Sequence, residues 1–311
     1  MMLFPVNAHT TLLRASSLCL SALATFASPL ALADSLVRVD TDAGSFALQL
    51  FDSSAPGTVE NFLGYVDAGS YDGTLIHRSV SNFVIQGGGF SFEPTTGGFN
   101  SVMTLPAIRN EFGVSNTRGT IAMAKLGGDP DSATSQWFIN LGNNSANLDN
   151  QNGGFTVFGK VLGEGMAVVD SINALRTVSI DGLSVFSEIP YLSLTGTTTS
   201  DADWVDLEMR SLSTSSKFSG GTLAVALDAG DAGKAMVDFV ITQDSPTIVI
   251  ALVPSTALFI DATVDKMASF DTTSGTMIIP ELEIEGSIAY RNLVFQLADP
   301  ATYSFTLESF E

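Results

Sequence analysis

The chain predicts a mainly β fold: an antiparallel barrel or sandwich followed by a small separate β domain. Three observations predict it. Short apolar or alternating runs recur between glycine-rich turns, and only two stretches carry helical spacing. The composition also changes at Ser213-Thr214-Ser215-Ser216, beyond which residues 217 to 311 alternate almost throughout.

Residues 1–33 read as an export signal. They hold no acid, one arginine (Arg14), an apolar run from Leu18 to Leu32, and Ala31-Leu32-Ala33 as a small-x-small cleavage site before Asp34. The run is short and interrupted by Ser21, Thr25, Ser28 and Pro29, which argues against a spanning anchor. Cleavage after Ala33 removes His9 and the single cysteine, Cys19, and sends the mature chain to the periplasm or out of a bacterial cell. A domain of this length needs no disulfides to build a core there. No later stretch reads as membrane-inserted, since the apolar segment Thr247 to Val264 carries Pro254 and Asp261.

The mature chain opens with two short strands, LVRVD and FALQLF, joined at Ala43-Gly44 as a hairpin. Pro56 starts a helix in which Val59, Phe62, Leu63 and Val66 share one face, and Gly69 ends it. After Gly73 comes Ile76-His77-Arg78-Ser79-Val80-Ser81-Asn82-Phe83-Val84-Ile85-Gln86, read as one alternating strand that stops at Gly87-Gly88-Gly89. That reading sends Phe83 and Ile85 to one face and Val84 and Gln86 to the other. A glycine-rich loop runs through Gly98; residues 118–125, 135–140 and 154–161 read as further strands. A second helix places Met166, Val169, Ile172 and Leu175 together. WVDLEM is the candidate closing strand. The first domain thus spans 34–215 and the second 216–311.

Composition excludes much chemistry. With His77 the only histidine of the mature chain and no cysteine, thiol nucleophiles and His/Cys metal clusters have no residues to build them. No cofactor and no metal is expected. The acids Asp228, Asp231, Glu281, Glu283 and Glu285 are read as a solvated strand face ahead of a calcium site. Lys and Arg number 13 against 33 Asp and Glu, a net charge of −20, which disfavours nucleic acid and anionic lipid as partners. What remains near the glycine run is an arginine that never deprotonates, a glutamine and apolar walls. Those suit a reaction in which no covalent bond is made or broken. Taken alone, an arginine beside Phe and Gln is more often a surface cation, and alternating apolar residues are core by default. His77, without a placed partner, reads as structural.

Several ordered blocks together resemble a family. His77-Arg78, Phe83 and Gln86-Gly87-Gly88, then Gly119-Thr120-Ile121-Ala122-Met123-Ala124, then Asp131 to Gln136 with Phe138-Ile139-Asn140, and Val157-Phe158-Gly159-Lys160-Val161 look like a cyclophilin-type peptidyl-prolyl cis-trans isomerase, in its bacterial periplasmic branch. The resemblance covers about residues 35 to 212 and none of the C-terminal segment. It implies an eight-stranded antiparallel barrel with two capping helices and an active-site groove on its outside. It also implies Arg78 and Gln86 as catalytic residues and Phe83, Val84, Phe138 and Leu148 as walls of a proline pocket, with Phe155 on its rim. Ala124 and Lys125 match the strand that pairs with the peptide, and Gln136 joins the substrate-binding set. The implied partners are Xaa-Pro-containing polypeptides, with a partner for the C-terminal domain left open. Asn147, where relatives place Trp or Phe, Lys125 and Ser81-Asn82 depart from the family pattern. Asn147 motivates a second reading, a non-catalytic proline-peptide binding or assembly module directed by the acidic C-terminal domain.

Overall fold

A computed structural model describes residues 34–180, 186–193, 200–212, 216–263 and 266–311. The export signal assigned to 1–33 and the domain boundary near 213–215 lie outside the described residues. In chain order the elements of the first part are β1 (Leu36–Thr41), β2 (Gly44–Leu50), α1 (Pro56–Asp67), β3 (Thr74–Leu75), β4 (Arg78–Val80), β5 (Val84–Gly87), β6 (Phe90–Glu93), β7 (Gly98–Ser101) and β8 (Thr120–Met123). There follow β9 (Trp137–Asn140), α2 (Ser145–Leu148), β10 (Val157–Val161), α3 (Gly165–Asn173), β11 (Arg176–Val178), β12 (Ile189–Tyr191) and β13 (Asp206–Leu212). The C-terminal part holds β14 (Ser216–Ser219), β15 (Thr222–Asp228), β16 (Lys234–Gln243), β17 (Val249–Leu252), β18 (Leu258–Ile260), β19 (Ala268–Asp271), β20 (Thr276–Ile284), β21 (Ser287–Asp299) and β22 (Ser304–Ser309). Among the described residues no helix is long and apolar enough to cross a membrane.

Eight strands run side by side in the order β4-β5-β9-β8-β10-β2-β1-β13, every neighbouring pair antiparallel, and the short strands β3, β6 and β7 extend the sheet beyond β13. The sheet curls around one core. Phe46, Leu48 and Phe158 meet Phe62 and Tyr65 of α1 there, and Val169 and Ile172 of α3 close the same cluster. Both helices form because their apolar residues recur at helical spacing and have a concave sheet to cover. In α1 the buried set is Val59, Phe62, Tyr65 and Val66 with Thr58 and Asn61, behind a proline in the first turn.

The stretch from Ile76 to Gly87 is two strands, not one. Ser81 and Asn82 turn the chain, with Asn82 at φ 59°, a left-handed conformation that asparagine tolerates better than most residues. Phe83 closes the turn by donating its N–H to the Val80 carbonyl at 3.0 Å. The hairpin pairs Arg78 with Gln86, Ser79 with Ile85 and Val80 with Val84. Phe83 therefore does not share a face with Ile85: it sits on the turn and faces the same hollow as Val84 and Gln86, while Ile85 is in the core.

The glycines after β5 are a packing requirement. Gly88 has φ +75°, and a Cβ there would lie 2.7 Å from the Ser135 carbonyl and from the Trp137 indole. At Gly89 a Cβ would come within 2.9 Å of the Gln136 amide. The run lets β5 lie flat on the segment that delivers Gln136 and Phe138.

His77 lies between β3 and β4, wholly buried, its ring edge-on to Phe90 at 5.0 Å and to Phe186 at 6.5 Å. Its nitrogens face the Leu75 backbone and the Gln136 amide without reaching full hydrogen-bond geometry. Burial, helped by the nearby Arg78 charge, lowers its pKa to about 4.

The C-terminal strands close into a ring, β14-β15-β16-β17-β22-β21-β20 and back to β14 through a parallel pairing. This barrel has its own core around Phe239, Met277, Ile279, Phe295 and Phe305. It also shares a second cluster with the N-terminal sheet, in which Leu36, Ala47 and Leu162 pack with Ala224, Ala226, Met236 and Ile260. Polar contacts border that cluster. Arg210 of β13 makes a two-pronged pair with Asp238 of β16, at 3.0 and 2.7 Å, and Arg38 donates to the Thr256 carbonyl. Of the acids considered for calcium, Glu281 pairs with Lys266 at 2.6 Å and Arg291 at 3.4 Å, and no group of three potential metal ligands occurs among the described residues.

Two outcomes follow from this packing. Gly88→Ala, clashing with backbone in a left-handed conformation, should cost about 2 to 4 kcal/mol in urea unfolding, read as a lower midpoint at unchanged slope. Since the native state keeps His77 neutral to about pH 4 against an unperturbed 6.5, the unfolded chain binds more protons in that window. Stability should therefore fall as pH drops from 6.5 to 4, by on the order of 3 kcal/mol from this residue, with no further loss below. Comparing His77→Phe with the parent across that window checks it: the variant should lack this part of the slope.

Candidate active site

Strand register alone assembles most of the site. Arg78 lies opposite Gln86, Gln86 opposite Phe138, Phe138 opposite Ala122 and Ala122 opposite Val157, a row crossing β4, β5, β9, β8 and β10. The alternate row, Ser79-Ile85-Ile139-Ile121, faces the other way, and its three isoleucines or their neighbours fill the core. The first row thus stands on the face turned away from the main core. Val84 and Leu148 are buried beside Phe138, Ala122 and Val157, with Phe83, Ala124, Phe155 and Val114 packed around them.

A cavity of about 170 Å³ opens over this row, lined by Arg78, Phe83, Val84, Gln86, Ala124, Lys125, Phe138, Leu148 and Phe155. Gln136 stands next to it, accepting a hydrogen bond from the Gln86 amide at 2.8 Å. All ten residues selected from the sequence are therefore brought together. Sequence reasoning left out Ala122 and Val157, the buried floor under Phe138. The signal was available: Thr120-Ile121-Ala122-Met123 carries no charge on either of its alternating faces, so one of the two had to cover something other than the barrel core.

The two cations of the cavity are held differently. The Arg78 guanidinium lies 5.9 Å from the Phe83 ring centroid, and among the described residues it makes no hydrogen bond or ion pair to another side chain or carbonyl. It lines the hollow with its five donors uncommitted among the described residues. The Lys125 ammonium is tied down, donating to the Gly154 carbonyl at 2.7 Å, the Asn152 carbonyl at 2.9 Å and Asn110 Oδ1 at 3.3 Å, and it covers the Phe155 ring at 4.9 Å. Burial lowers its pKa, opposed by Asp131 and Asp129.

The Ala124 N–H is committed to the Gln136 carbonyl at 2.9 Å. The strand expected over 118–125 ends at Met123; Lys125, two residues beyond it, enters no backbone pairing among the described residues, so its backbone is open to an incoming chain. Phe155 meets Phe138 edge-on at 5.8 Å, closing the rim. Asn147, the departure noted in the sequence, does not line the cavity; its side chain accepts from Gln151 within α2 and the following loop.

Apart from the tied-down Lys125, the residues lining the cavity include no serine, cysteine, histidine or carboxylate, and no metal-ligand cluster occurs among the described residues. The arrangement offers an apolar hollow, one free guanidinium, one oriented amide and, at Lys125, an unpaired stretch of backbone just beyond β8. Such a set can accommodate an extended peptide with a compact apolar side chain at its centre.

Comparison with known proteins agrees. The family model for cyclophilin type peptidyl-prolyl cis-trans isomerase/CLD matches residues 36–189. The peptidyl-prolyl cis-trans isomerase cyp18 of Streptomyces antibioticus is 46% identical over 154 residues, covering 48% of this chain and 89% of that protein. A peptidyl-prolyl cis-trans isomerase of Acinetobacter baylyi is 43% identical over 150 residues, covering 47% and 76%. Peptidyl-prolyl cis-trans isomerase B of Escherichia coli is 42% identical over 148 residues, covering 46% and 86%. With most of these relatives' length matched, and the cavity residues inside the matched segment, the chain belongs to the cyclophilin-type peptidyl-prolyl cis-trans isomerase family.

Proposed function

We propose that this protein accelerates cis-trans rotation about Xaa-Pro bonds in exported polypeptides, with Arg78 stabilising the twisted imide. The observation that carries this reading is a guanidinium without a polar partner among the described residues, at the edge of a cavity whose other walls are mostly apolar. The N-terminal export pattern supports the choice of exported clients.

Amide resonance sets a barrier of about 18 to 20 kcal/mol and makes Xaa-Pro exchange take tens to hundreds of seconds. Halfway through the rotation the imide is no longer planar, and the proline nitrogen recovers a lone pair that accepts a hydrogen bond. Arg78 donates to that nitrogen strongly in the twisted state and poorly in the planar one. Such a difference lowers the barrier, where equal binding of both states would not. Val84, Phe138 and Leu148 hold the pyrrolidine ring and exclude water, so the acyl side turns against a fixed proline. Gln86, oriented by Gln136, holds a backbone group of the peptide. The Lys125 backbone pairs with the chain before the proline, while its ammonium keeps the loop at 152–154 in place.

The alternative of a non-catalytic assembly module rested on Asn147. With that side chain outside the cavity and all walls present, no observation favours it.

The test is a protease-coupled assay on a short Ala-Pro peptide. A transition-state hydrogen bond of about 3 kcal/mol predicts that Arg78→Ala lowers kcat/KM by about a hundredfold or more, with unfolding unchanged. Uncatalysed exchange with the parent protein, or an unaltered rate in the variant, would refute the reading. Phe138→Ala should instead weaken both turnover and peptide binding, seen as a raised KM.

A further inference from the structure

The cavity at the open end of the C-terminal barrel lies outside everything said so far. It measures about 260 Å³, and each of the seven ring strands supplies a lining residue, from Phe218 on β14 to Leu307 on β22. Every lining residue is apolar or aromatic, the Tyr290 hydroxyl being the one polar side-chain group. The rim is unusually exposed for apolar side chains: Phe310 is 55% accessible, Ile241 42% and Tyr290 40%. Tyr290 and Phe310 stack edge-on at 5.0 Å across it. Mouths of β-barrels are where such ligand cavities occur.

Two further features narrow the ligand. A hollow whose lining side chains offer a single hydroxyl lacks the two or more partners an ordered water needs, so it favours hydrocarbon. The segments that bring lining residues to the mouth carry exposed acids beside them: Glu285 after Ile284, Asp244 between Ile241 and Ile248, Glu308 after Leu307 and Glu311 after Phe310. The three cations on the ring strands, Lys217, Lys234 and Arg291, pair with Asp67, Asp228 and Glu281. An acidic mouth repels a carboxylate or phosphate head.

We propose that the open end of this barrel binds an uncharged aliphatic chain. Scaling from the roughly 150 Å³ that accommodates benzene, its volume suits about ten carbons.

The experiment uses the whole protein and a neutral reporter, N-phenyl-1-naphthylamine, whose fluorescence rises in apolar surroundings. The reporter should bind, and 1-decanol should displace it at least tenfold more effectively than decanoate at pH 8. Ile284→Trp and Leu307→Trp, which fill the hollow from two sides and lie far from the isomerase residues in sequence and sheet, should each weaken binding tenfold or more at unchanged peptide isomerisation. In case neither variant folds, magnetisation transfer between decanol methylenes and the Tyr290 and Phe310 rings in the parent locates the ligand directly. Failure of the reporter to bind, decanoate competing as well as decanol, or contacts elsewhere would overturn the proposal. So would displacement by an unfolded polypeptide but not by decanol. None of these outcomes depends on Arg78, so the proposal and the isomerase reading stand or fall separately.

Discussion

Hydrogen-bonded register between β4, β5, β9, β8 and β10 is the constraint from which the site follows. Because side chains alternate with period two, pairing Arg78 with Gln86 and Gln86 with Phe138 puts all three on one face and sends Ile85, Ile139 and Ile121 to the other. A slip of one residue between β4 and β5 would turn the guanidinium to the core face, and one between β9 and β8 would send an isoleucine out of it. The cost of that exchange locks the register: a large apolar cluster on one side favours the arrangement that also builds the groove. Gly88 and Gly89 serve the same end, since they allow β5 to approach Trp137 and Gln136 closely enough to pair.

The groove's electrostatics are sparse for so acidic a protein. The other cavity cation, Lys125, is held by three oxygens, and outside the cavity Arg118 pairs with Asp170 at 2.6 Å and Arg38 with Asp40 at 2.7 Å. Arg78 has an aromatic ring beside it and no carboxylate partner among the described residues. A guanidinium already neutralised by a fixed acid would gain little from a weakly basic imide nitrogen. One resting over a phenyl face keeps its in-plane donors available. His77, adjacent in sequence, has no part in this beyond packing, because its ring is sealed between Phe90 and Phe186.

Much of this was legible in the sequence because the blocks carrying it are local. HR, QGG, TIAMA and QWFIN each sit on one short element, and the periodicity of those elements orients them. What stayed hidden was set by turns and by distant partners. The single strand expected from Ile76 to Gln86 is a hairpin, since alternation continues across a two-residue turn and only the left-handed Asn82 breaks it. The alternating pattern of 217 to 311 identified a β domain with a core of its own. It gave no sign that Ala224 and Ala226, small residues on one side of β15, make room for Leu36 and Leu162. Nor does alternation reveal whether a barrel's interior is filled to its end.

That shared cluster bears on how the molecule is dissected. A fragment ending at Leu212 would retain the groove intact yet strip cover from Leu36, Ala47 and Leu162 and leave Arg38 and Arg210 without Thr256 and Asp238. Greasy surface, and two cations left to share Asp40, would then sit on the back of the catalytic barrel, where clumping rather than lost chemistry would mislead a comparison of truncated and intact forms.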